Sequence, residues 1–205
     1  MIEHHRRSIR LPEYDYSQPR EYFITLVSYG RSSIFGKIDG ERVRLSPFGQ
    51  IAREEWLKTP VIRPEIELGE FVIMPNHFHA IVHIIDDQPV GAYGPTHING
   101  KPRRGTARRA PTTDGAVIFD PHRVPTDSIE RFGKPVPGSI PTIIRAFKSA
   151  VTKRINELRG TPSTPVWQRN YWEHVICSDE EYATITAYIE SNPANWARDK
   201  EYIGS

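Results

Sequence analysis

Apolar and polar positions along the chain fall into short stretches whose period changes from two to about 3.6 and back, and these changes mark the elements. Tyr22 to Tyr29 (YFITLVSY) is aromatic and β-branched with partial alternation, which predicts a strand with at least one buried face. Between Ile34 and Leu45, Asp39-Gly40 separates two short extended runs and predicts a hairpin; Ser46-Pro47 then opens a helix toward Leu57. Glu70 to Met74 and His79 to Ile85 read as strands, and the Pro75-Asn76 connection is tight enough to force them antiparallel.

From Asp86 to Ser139 periodicity is lost. This stretch holds eight of the eighteen prolines and seven of the fourteen glycines, which argues against a regular element. Helical spacing returns at Ile140, with Ile144, Phe147, Val151, Ile155 and Leu158 forming an apolar stripe suited to a core. Val166 to Ile176 (VWQRNYWEHVI) predicts a turn and then a strand. Ser178 with Glu181 is a capping box, and the helix it starts must end near Asn192 because Pro193 follows. Strand, hairpin, helix, strand, strand, helix, strand, helix is the order of an α+β, ferredoxin-like antiparallel sheet with helices packed on one face. The length of 205 residues suits one catalytic domain carrying a Pro/Gly-rich, partly basic insertion at about 86–139.

Charge narrows the picture only locally. Lys and Arg number 27 against 25 acids, so the net charge of +2 does not announce a nucleic-acid partner. Clusters do more. Lys101, Arg103, Arg104, Arg108 and Arg109 have no acid among them and suit either a phosphate-touching arm or a solvated loop. Arg145, Lys148, Lys153 and Arg154 give the helix after Ile140 a basic surface, either for a DNA backbone or simply for solvent. Trp167, Tyr171 and Trp172, near Arg169, could stack unpaired bases and grip phosphate, or could be sheet core; alternation puts Tyr171 and Trp172 on opposite faces. A single cysteine, an N-terminus without an apolar leader and the lack of any run of about 20 apolar residues predict a cytoplasmic protein with no membrane segment.

His77-Phe78-His79 carries the sharpest chemistry. Strand alternation sends both imidazoles to one face, roughly 6.6 Å apart, where they can share one ion. His83 has the same parity but lies roughly 13 Å from His79, which leaves it a supporting or structural role. Tyr188 and Asn192 are one helical turn apart on one side, and the Asn192 amide oxygen is a hard ligand. Two imidazoles and an amide oxygen leave positions open for phosphate oxygens, as Mg²⁺ or Mn²⁺ needs in phosphoryl transfer, and a tyrosine beside the ion can attack phosphorus. Equally, Tyr188 could pack with Tyr182, Ile185 and Ile189 while Asn192 only caps the helix.

The string MPNHFHAIVHI (Met74 to Ile84) resembles the metal-binding signature of HUH endonucleases, and YIESNPANW (Tyr188 to Trp196) is similar to the nucleophile helix of the REP-associated tyrosine transposases. The basic segment around Arg145-Ala146-Phe147-Lys148 and the run Trp167 to Ile176 resemble that family in the same order. The resemblance implies a ferredoxin-like enzyme that cuts and rejoins single-stranded DNA beside REP-like hairpins through a 5′-phosphotyrosine, without ATP, acting as a monomer or homodimer. It implies His77, His79 and Asn192 as metal ligands and Tyr188 as nucleophile. Compact members of the family lack the 86–139 insertion, so their DNA contacts cannot be carried into it. Two other readings compete: a domesticated hairpin-DNA-binding protein without turnover, and an unrelated metallohydrolase acting on small molecules.

Overall fold

The computed structural model describes residues 14–85 and 136–202. The segment with Arg103, Arg104 and most of the expected insertion lies outside the described residues. Four strands form one sheet: β1 (Glu21–Val27), β4 (Ile66–Ile73), β5 (His77–Ile84) and β6 (Trp172–Ile176). A separate hairpin of β2 (Gly36–Asp39) and β3 (Arg42–Leu45) turns at Gly40, whose φ of 63° is one that a residue without Cβ adopts freely. The helices are α1 (Pro47–Leu57), the single turn α2 (Thr59–Ile62), α3 (Ile140–Arg159) and α4 (Asp179–Ser191).

The sheet order is β4-β5-β1-β6 with every neighbour antiparallel, which is the split β-α-β arrangement expected from the element order. Pro47 and the Ser46 side chain, which accepts from Gly49 N at 3.2 Å, start α1; Gly160, with φ of 64°, ends α3. Ser178 Oγ accepts from Glu181 N at 3.1 Å and starts α4.

Alternation along the strands divides the molecule in two. Tyr22, Ile24, Leu26, Phe78, Ala80 and Val82 point to one face, where α1 and α3 cover them with Trp56, Ile144, Phe147 and Val151. Trp56, Phe78 and Phe147 meet there with ring centroids 4.9 to 5.5 Å apart. Phe23, Ile81 and Ile176 point to the other face and pack against Ile189 of α4. The helices expected on one face are thus α1 and α3, while α4 lies across the opposite one.

Several boundaries move, two of them by two residues or more at the start of a strand. β4 starts at Ile66 rather than Glu70, because a bulge between Leu68 and Phe71 hides its continuity from a period-two reading. Gly69 sits in that bulge, where a Cβ would lie 2.8 Å from His83 Nε2 and 2.9 Å from Ile81 Cβ. β5 starts at His77 instead of His79. Leu158, expected in the α3 stripe, is exposed, since the stripe has turned past the sheet in the last turn.

Candidate active site

The face under α4 brings His77, His79, Tyr188, Asn192 and Asp199 together. Both imidazoles are buried, and their ring centroids are 4.5 Å apart. Their orientation is fixed from behind. Asn76 Nδ2 donates to the carbonyls of Arg31 (3.1 Å) and Glu201 (2.8 Å), so its Oδ1 faces His77 and accepts from Nδ1 at 2.9 Å. The His77 proton is therefore on Nδ1, and the Nε2 lone pair points into the site. Thr25 Oγ1, one strand over, lies 2.8 Å from His79 Nδ1 and directs that ring the same way.

Asp199 closes the group. It follows the short turn 196–198, its side chain is 2% exposed, and Oδ2 lies 4.0 Å from His77 Nε2. One ligand atom each from His77, His79 and Asp199 lie within 4.8 Å of one another, a spacing that one ion can span. Asn192 Nδ2 donates to Asp199 Oδ2 at 2.9 Å, which leaves the buried Asn192 Oδ1 without a hydrogen-bond partner among the described residues. His77 Nε2 is buried and without one as well. Two orphaned buried acceptors beside a carboxylate cost stability unless a cation or its water meets them, so the donor set fits a hard or borderline divalent ion.

Tyr188 Oη lies 3.2 Å from His79 Nε2 and 3.3 Å from Asp199 Oδ2. Burial, with the negative charge of Asp199 added, pushes its phenol up to about 12. Burial drives His77 down to about 4, with Asp199 opposing in part, and holds His79 well below the ordinary imidazole range, helped by His77 and Lys200. Both rings are neutral at physiological pH, the form that binds metal. The group opens into a cleft of about 470 Å³ lined by Phe23, Trp172, Tyr188, Arg198 and Lys200 among others.

Other expected residues are elsewhere. His83 stands off the group, 3.3 Å from Glu21 and 3.5 Å from the Tyr182 hydroxyl. Asn192 caps α4 and also turns its side chain toward Asp199 in the site. Lys148 donates to the carbonyls of Gln168 (2.5 Å) and Arg169 (3.2 Å), and burial draws its ammonium down to about 8. Arg154 clamps α1 through Glu54 and Glu55, both at 2.7 Å. Lys153 is exposed, 4.0 Å from Glu157, and Arg145 and Arg169 are exposed as well. Sequence reasoning missed Asp199, Thr25 and Asn76. Asp199 carried one signal, a carboxylate seven residues beyond Asn192 and just past a proline-broken helix.

No family model matches the chain. An uncharacterized protein of Haemophilus influenzae (strain ATCC 51907 / DSM 11121 / KW20 / Rd) is 31% identical over 202 residues, spanning 98% of this chain and 94% of that protein. Among solved structures, a REP-associated tyrosine transposase bound to a REP hairpin aligns with a TM-score of 0.54 at 16% identity, over 95% of this chain and 76% of that one. At that identity the likeness is one of fold. No helix among the described residues is long and apolar enough to cross a membrane.

Proposed function

The chain belongs to the same family as the Haemophilus influenzae protein and has the fold of a REP-associated tyrosine transposase, and from that premise we propose that it is a transposase-type, single-strand-specific DNA endonuclease and strand-transfer enzyme. Its substrate is single-stranded DNA beside a REP-like hairpin. The observation that carries this reading is Tyr188 Oη at 3.2 Å from an imidazole of the buried pair, at the floor of an open cleft. A small-molecule hydrolase needs a general base in a closed pocket, and this cleft offers a phenol in an open one.

His77 and His79, through Nε2, with Asp199 and Asn192 Oδ1, would hold Mg²⁺ or Mn²⁺. When bound, the ion supplies Lewis acidity to the scissile phosphate and offsets the negative charge beside the phenol. Asn76 and Thr25 keep the imidazoles aimed. Tyr188, placed beside His79 and Asp199, attacks phosphorus; its proton leaves to solvent through the cleft, the P–O3′ bond breaks, and the 3′ oxygen departs as a hydroxyl after taking a proton. The phosphotyrosine conserves the bond energy, so a 3′ hydroxyl from another strand can reverse the step without a nucleotide cofactor.

The test is reaction with 3′-labelled, hairpin-containing single-stranded DNA in Mn²⁺, followed by peptide mapping. The label is expected on the peptide containing Tyr188, with no adduct in Tyr188→Phe. An adduct in Tyr188→Phe, or none in the unaltered protein, overturns the reading; an adduct formed only with 5′-labelled DNA reverses the polarity.

A further inference from the structure

The aromatic run before α4 is divided by strand alternation. Trp167 is buried and Tyr171 packs on the α1/α3 face, whereas Trp172 points to the other face and is 41% exposed. Trp172 is paired with Thr25, and Thr25 with His79, so the three lie in one row across the sheet. Phe23 joins the ends of that row: its ring meets Trp172 edge-on at 5.5 Å, His79 at 5.4 Å and Tyr188 at 6.2 Å.

The indole is backed and held. It stacks on His174 at 5.7 Å with 7° between the planes, and His174 Nε2 is 2.6 Å from Glu181 Oε1 at the start of α4. Lys200 Nζ lies 5.5 Å over the Trp172 ring, and Arg198 lines the same cleft. A part-exposed aromatic surface with one cation over it and another lining the same cleft, beside a tyrosine hydroxyl, matches the two halves of a nucleotide: a flat base and a phosphate. A paired base offers only its edge, so a base that stacks on Trp172, taking the place of Lys200 over the ring, is an unpaired one.

We infer that Trp172, backed by His174, is the platform on which the unpaired base next to the cleaved phosphate stacks. The neighbouring position follows from Phe23, whose single ring separates Trp172 from Tyr188. Stacking depends on no particular base edge, so Trp172 sets the strandedness of the substrate and its register, not its sequence. The inference rests on the reading of the cleft as a single-strand DNA site, but it does not need turnover.

It is tested without metal, in EDTA, by titrating the full chain with oligo(dT) and with an abasic strand of equal length while following tryptophan fluorescence and, separately, anisotropy of the labelled strand. Trp56 and Trp167 are buried, and Trp196 is partly covered against His77 and Tyr202, so stacking is read at Trp172. Oligo(dT) is expected to quench and the abasic strand not to. Trp172→Ala should lose the quenching and about tenfold in affinity, while Trp172→Phe keeps most of the affinity and loses the quenching. Undiminished affinity in Trp172→Ala, equal quenching by the abasic strand, or no binding of oligo(dT) overturns the inference. Quenching by oligo(dT) in a protein that forms no Tyr188 adduct keeps it and removes strand transfer, whereas an adduct-forming protein with an indifferent Trp172→Ala does the reverse.

Discussion

The two faces of the sheet are made from the same strands and obey opposite rules. On the α1/α3 face, Phe78, Trp56 and Phe147 fill space with ring against ring, and the polar atoms left without a hydrogen-bond partner among the described residues there include single indole nitrogens, those of Trp56 and Trp167. On the α4 face, one residue away along β5, His77 and His79 are equally buried but surrounded by Asn76, Thr25, Asn192 and Asp199. A small apolar patch of Phe23, Ile81, Ile176 and Ile189 holds α4 in place there. The difference teaches that a rigid site can be built on a strand whose other side is all packing: the first face supplies the stability that the second face spends on orphaned acceptors and shifted imidazoles.

The contrast breaks most severely from the packed side. Phe78→Ala is expected to destabilise the protein by about 3–5 kcal/mol in urea unfolding, because it removes a ring enclosed by three others and leaves a cavity. A loss under about 1 kcal/mol would mean that the α1/α3 face is loosely packed.

Acid should act on the other face. The His77 imidazole gains its proton only near pH 4 in the folded chain, against 6.5 for the ordinary value. Between those values the unfolded chain binds more protons, so stability is complete above about pH 6.5 and falls as pH drops toward 4. The expected loss from this group is on the order of 3 kcal/mol, read from metal-free denaturation curves across that range. His77→Gln should flatten the slope, and an unchanged slope would remove His77 as its source.

The smallest effect sharpens the site itself. A carboxylate binds a hard cation better than an amide does, so Asp199→Asn should weaken Mn²⁺ binding by about 10–100-fold in calorimetry, and Asn192→Ala by less. The reverse order would make Asn192 the principal third ligand.

Much of this architecture was legible. Pro47, Ser178 and Pro193 mark helix ends by backbone chemistry that does not depend on neighbours, and α1 runs from Pro47 to Leu57 as its start signal and apolar spacing predict. The parity of His77 and His79 is likewise local. What could not be read depends on what lies opposite. The charges of Lys148 and Arg154 suggest a DNA-facing helix, yet one is spent on the carbonyls of Gln168 and Arg169 and the other on Glu54 and Glu55. Helical spacing gives the face of a side chain but not its partner. Asp199 was missed for the same reason, since its place beyond Asn192 marks a carboxylate near the helix end but it reaches the histidines through an irregular turn with no period to betray its direction.

The stretch that bears Asp199 is tied down by Asn76, which gives Nδ2 to the Glu201 carbonyl, and by Arg31, 3.1 Å from the Glu201 carboxylate. A ribosome delivers these partners in a set order. Every strand of the sheet, and Tyr188 with it, has been made before Asp199 and Glu201 are added. Until then His77 lacks both its carboxylate neighbour and one of the two carbonyls that turn the Asn76 amide toward it. A chain released before residue 199 would therefore present its tyrosine over a half-built centre, and the proposed power to nick DNA would need the strap 196–202 to be made and seated.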